Sequence, residues 1–183
     1  MMPVALLLVA GLQSVSPEAS LFSDVPHVRI ERYAVSGRSP SGVRREINAA
    51  RPAEADGGRF DGMTNWRFEY RFQHDGQGVC VPGSVEVSVE ITVTLPELAE
   101  PNHLDARERR AWDAYILGLA THERNHVRIV ERGKRELERA MRSAATCAAM
   151  AAAGERIMTD VEAASREYDR RTDHGQREVP PFG

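Results

Sequence analysis

His122, Glu123 and His126 stand together in the stretch "LATHERNHVRIV", and their types and spacing suit one particular chemistry. Residues four apart on an α-helix differ by about 40° around the axis and lie about 6 Å apart along it. Two imidazoles in that relation can point nitrogens at a single ion, and zinc takes such ligands at about 2.0–2.1 Å in a tetrahedral set. Glu123 is turned about 100° from His122. Its carboxylate therefore stands beside the ion and can take a proton from water whose pKa zinc has lowered to about 7. A short motif of this kind also arises by chance on charged helices, so its context decides.

That context is helical. From about Asp105, Trp112, Ile116, Leu119, Glu123, His126 and Val130 recur at spacings of three and four, which predicts one long helix whose inward stripe runs into both histidines. Unliganded histidines on such a stripe would carry a desolvation cost. A third ligand must come from elsewhere. His174 in "YDRRTDHGQ", in a loop just past a helix, is the first choice. Glu162, Glu167, Asp169 and Asp173 are rivals, because carboxylates complete many zinc sites. His27, His74 and His103 read as surface histidines.

The elements that must position these residues are legible by period. "HVRIERYAVSG" reads as a strand over 28–35, and "SPSGVRREINAARP" as a helix with Ser39 as N-cap, Pro40 at its first position and a stop at Pro52. Trp66, Phe68, Tyr70 and Phe72 alternate with polar residues, as do Val85, Val87, Val89, Ile91, Val93 and Leu95, giving two strands of an antiparallel hairpin. The second offers a sheet edge to an extended peptide. An Ala-rich helix broken around Gly154 runs to about Arg170, and 176–183 reads as a loose tail. The fold class is α+β, a small antiparallel sheet packed against long helices.

Composition narrows the function classes. The chain has 183 residues and a net charge of −3. One domain over 28–175 is expected from that length, and a basic field for nucleic acid is lacking. Residues 1–20 read as an export leader, with an apolar run from Val4 to Leu12 too short to span a bilayer and no basic residue ahead of it. No stable membrane insertion is expected once the leader is removed. The two cysteines, Cys80 and Cys147, fit a secreted or periplasmic chain carrying one disulfide.

From about Ile30 to Gly175 the chain resembles the bacterial family of secreted zinc-dependent proteases catalogued as domain of unknown function 922. The resemblance rests on "YAVSG", "MTNWRFEYRF", "CVPGSVEVSVEITVTLP", "HERNH" and "YDRRTDHG". It implies export, a zincin-like fold, zinc on His122 and His126 with Glu123 as general base, and a role for the closing segment. His174 gains as third ligand, and Tyr168 or Asp169 becomes a candidate for positioning a ligand or, for Tyr168, hydrogen-bonding the oxyanion of a peptide or protein substrate. Two alternatives stay open: a non-catalytic exported module with a structural or relic zinc site, and a zinc amidase acting on cell-envelope substrates.

Overall fold

The computed structural model describes residues 17–53 and 57–183. The apolar run of the expected leader lies outside them. Residues Pro17–Ser20 form a short helix, α1, and the following segment packs on the body through buried Phe22 and Val25.

β1 (Val28–Val35) leads to α2 (Pro40–Ala50), whose start the sequence dictates. The Ser39 hydroxyl accepts a hydrogen bond from the Gly42 N–H, and Pro40 occupies the first turn, where its missing N–H costs nothing. Val43 and Ile47, one turn apart, are fully buried, each contributing about 1.5–3 kcal/mol by leaving water. β2 (Met63–Arg71) and β3 (Glu86–Leu98) then form the expected antiparallel hairpin, with Trp66 opposite Ile91 and Phe68 opposite Val89.

The sheet order is β1-β3-β2, and β1 runs parallel to β3, with Val28 opposite Ile91 and Val35 opposite Leu98. The sheet is therefore mixed, which corrects the antiparallel expectation. A helix and a whole strand separate β1 from β3 in the chain, and such a crossover permits a parallel pairing that side-chain alternation does not encode. The same order puts β3 in the centre and β1 and β2 on the edges, so Val85–Leu95 is not the edge expected of it. One sheet face packs on the helices. The other carries the exposed pairs Arg67–Glu90 and Arg71–Glu86, which contribute little to stability in water.

α3 (Ala106–Arg142) opens with a full capping box: Asp105 accepts from the Arg107 and Glu108 N–H groups, and Glu108 accepts from the Asp105 N–H. Thr146 caps α4 (Cys147–Thr172). α4 passes through Gly154 without the expected break. A side chain there would meet the Tyr70 ring at 3.2 Å, so glycine serves close packing against the sheet. Cys80 and Cys147 form a disulfide joining the β2–β3 loop to the first turn of α4. The buried apolar residues of α2, the sheet, α3 and α4 form one continuous core.

The loose tail is also corrected. Phe182 is buried, with its ring edge-on to Trp112 and stacked on Tyr115, because this end of α3 offers an aromatic cradle. Its carbonyl accepts from Arg44 Nε at 2.9 Å.

Candidate metal centre

His122, Glu123 and His126 lie on the buried side of α3, where it meets α4 and β2. The two imidazoles face the same point. His122 Nε2 and His126 Nε2 are 3.3 Å apart, and Asp169 Oδ1, from α4, lies 3.2 Å from the first and 3.0 Å from the second. Ligands at 2.0–2.1 Å around a tetrahedral zinc would stand about 3.3 Å from one another. The three donor atoms already hold nearly that spacing.

Protons on the far ring nitrogens make the case firmer. His122 Nδ1 lies 3.2 Å from the Glu178 carboxylate, an acceptor, so this nitrogen carries the hydrogen. In the neutral ring, Nε2 then presents a lone pair to the Asp169 oxygen. Two acceptors at that distance require a shared cation or an added proton. His126 Nδ1 pairs with Ser165 Oγ at 2.7 Å, which allows the same tautomer there. Second hydrogen bonds of this kind are how metal-ligating histidines are oriented.

Glu123 stands beside the trio. Its Oε2 accepts from the Thr64 hydroxyl at 2.7 Å. A Cβ on Gly62 would come within 2.7 Å of its Oε1 and 3.0 Å of Leu119 Cδ1, so any larger residue in the loop entering β2 would displace the carboxylate. Burial pushes the Glu123 carboxyl up, against the opposing pull of His126, Thr64 and His122. Burial would lower His122, but its bond to Asp169, the Glu123 charge and Glu178 raise it overall. Burial would raise Asp169, yet its hydrogen bonds to both histidines hold it well below the usual carboxylate range. The whole arrangement attracts positive charge.

These groups open onto a cleft of about 1000 Å³, lined by His122, Glu123, His126 and Asp169 and along one side by Met63, Thr64, Asn65 and Trp66 of β2. Asp61, which also lines the cleft, accepts from Arg44 at 2.5 Å, Arg51 at 2.6 Å and the Tyr115 hydroxyl at 2.7 Å.

The third position of the cluster is Asp169, one of the rivals, and His174 is not part of it. Asp173, His174 and Gly175 all take left-handed backbone angles, which turn the chain after α4 and lay the exposed His174 ring on Phe60, with centroids 4.5 Å apart. Gly175 is the residue of "DHG" that touches the centre, since a Cβ there would lie 3.2 Å from His122 Cγ. Glu162 and Glu167 form exposed pairs with Arg166 and Arg170, and Asp173 is the helix cap. Tyr168 stacks on His122 with centroids 4.9 Å apart. Its hydroxyl donates to Glu178 at 2.6 Å and accepts from Asn125 at 2.8 Å, and it is not among the cleft-lining residues. The expected oxyanion role does not suit that placement. His27, His74 and His103 are exposed, as read.

Sequence reasoning missed Thr64, Ser165 and Glu178. Ser165 could have been found: it lies four residues before Asp169 on the same face of α4.

A second group with ligand types, His74, Cys80 and Cys147, lies at the disulfide. Its sulfurs are bonded to each other, so it offers no thiolate in this state.

The model of the family described as "Bacterial protein of unknown function (DUF922)" matches residues 30–175. The chain belongs to this family. No curated protein and no solved structure matches it. Within the DUF922 match lie both histidines, Glu123, Thr64, Asp169 and Gly175, whereas Glu178 and Phe182 lie beyond it.

Proposed function

We propose that this DUF922 chain is an exported zinc-dependent peptidase of the zincin type, with His122, His126 and Asp169 as the metal ligands and Glu123 as the general base. The observation that carries the reading is the convergence of two imidazole nitrogens and a carboxylate oxygen at 3.0–3.3 Å beside a buried carboxylate. Among the described residues no fourth histidine, cysteine or carboxylate joins the cluster, which favours a catalytic site over a structural one. A bound zinc supplies Lewis acidity and acidifies water.

The chain's own groups would do the rest. Glu123, held by Thr64, takes a proton from water in the cleft as the water oxygen bonds to the scissile carbonyl carbon. It returns that proton to the amine nitrogen as the carbon–nitrogen bond breaks. Met63–Trp66 of β2 border the cleft, and among the described residues β2 pairs in the sheet with β3 alone, so an extended peptide would add as a further strand beside Thr64. The disulfide supports an oxidising compartment, and no helix among the described residues is long and apolar enough to cross a membrane.

The test is zinc content together with hydrolysis of unfolded protein, for the wild type and for Glu123→Gln. The expected result is equal zinc in both and a loss of about 10²–10⁴-fold in rate for the variant. Wild type without zinc, or a variant as active as the parent, refutes the reading. Hydrolysis of cell-wall amides but not of peptides would move it to the amidase class.

A further inference from the structure

We propose that residues 176–183 are a latch that completes the metal centre, with Glu178 as the positioning residue for His122 and Phe182 as the anchor. The inference rests on the zinc reading above and concerns residues outside the family match.

The latch begins where α4 ends. The His174 N–H bonds back to the Asp169 carbonyl at 2.8 Å and the Arg177 N–H to the Thr172 carbonyl at 3.1 Å. These bonds reverse the chain directly over His122. The Glu178 and Val179 N–H groups both bond to the Gly175 carbonyl, at 2.9 and 2.8 Å. That tight turn delivers the Glu178 carboxylate to His122 Nδ1.

A single oxygen, Glu178 Oε2, then serves two partners: His122 Nδ1 at 3.2 Å and the Tyr168 hydroxyl at 2.6 Å. It fixes which nitrogen of His122 holds the proton and which faces the metal position. Tyr168, held from its other side by Asn125, packs its ring on both histidines. Without Glu178 the imidazole could adopt the other tautomer or rotate away from Asp169.

The far end keeps this carboxylate in place. Pro180 lies against Gly118 of α3, where a Cβ would come within 2.6 Å of Pro180 Cδ. Phe182 then fills the Trp112–Tyr115 cradle, and Arg44 holds its carbonyl. Glu178 itself is 40% exposed, so its position depends on the anchored backbone and not on burial.

The test measures zinc affinity by competition with a chromogenic chelator, and the visible spectrum of the cobalt(II)-substituted protein. Wild type, Glu178→Ala, Glu178→Gln, Phe182→Ala and Phe182→Leu are compared, with circular dichroism to confirm folding. Loss of the carboxylate should weaken zinc binding about 10–100-fold, as for other partners of ligating histidines, and should alter the cobalt spectrum. Glu178→Gln, which keeps an acceptor oxygen, should recover part of the loss. Phe182→Ala should weaken zinc binding in the same direction and Phe182→Leu should restore it; should Phe182→Ala not fold, Phe182→Leu and the Glu178 pair decide the matter. Zinc binding by wild type with Glu178→Ala unchanged in affinity and spectrum overturns the latch and leaves the metal reading intact. A wild type that takes up no zinc overturns both.

Discussion

Two charged clusters line one cleft and solve opposite problems. Asp61 is one carboxylate ringed by two guanidiniums and a phenol, so its negative charge is answered entirely by donors of the protein itself. The centre on α3 and α4 is built the other way. Two imidazole nitrogens and one carboxylate oxygen point at each other, and among the described residues no lysine or arginine is paired with them. Donors gathered around one acceptor mark a brace, and ligand-type atoms gathered around one point mark a binding place. The brace also serves the centre: Asp61 adjoins Gly62, whose backbone lies against Glu123, and the Asp61 carbonyl accepts from the Tyr33 hydroxyl at 2.7 Å.

The contrast breaks most visibly under paired substitutions. Asp169→Ala should cost zinc affinity more than the roughly 10–100-fold typical of losing an outer partner. Asp61→Ala should leave zinc binding in place and cost stability. Two guanidiniums would be left without their anion, at about 3 kcal/mol of stability by analogy with broken buried pairs, while folded protein still takes up zinc. Calorimetry and chelator competition on both variants check this, and identical phenotypes would erase the distinction.

Acid titration gives a smaller effect. Burial would raise Asp61, but hydrogen bonds from Arg44 and Tyr115 and the charges of Arg44 and Arg51 hold its carboxyl below the ordinary value. A depressed carboxyl contributes stability above its unfolded pKa of about 3.9 and loses it as pH falls through the lower folded value. Denaturant titrations of metal-free wild type should therefore show an acid-side loss below about pH 4 that Asp61→Asn lacks. An unchanged slope in the variant would place the acid sensitivity elsewhere. The smallest effect should come from His174→Ala, for which zinc occupancy is expected to stay at the wild-type level. A sharp drop would restore His174 as a ligand.

That last prediction marks where the sequence stopped being readable. The long helix, the hairpin, the α2 cap, the cysteine pair and the two histidines follow from period, capping chemistry and spacing, all local properties. The third position of the cluster does not. Asp169 and His174 are close in sequence, and choosing between them requires knowing that α4 continues to Thr172 and then turns left-handed for three residues. Of those three only Gly175 tolerates that backbone without strain, so the turn is hard to read in "TDHG". The parallel sense of β1 was hidden for a related reason: alternation reports which face of a strand is buried and says nothing of its direction. The docking of Phe182 depends on a cradle formed by Trp112 and Tyr115 on α3, far back in the chain.

The disulfide has a mechanical consequence. It pins α4 at Cys147, whereas the carboxylate that meets the histidines is Asp169, near the helix's other end, about 33 Å away at 1.5 Å of rise per residue. Over an arm of that length a pivot of about 2° sweeps the far end through about 1 Å, the scale of misplacement that disables a reacting geometry. The sulfur–sulfur bond thus sets an angular tolerance for a centre it never touches.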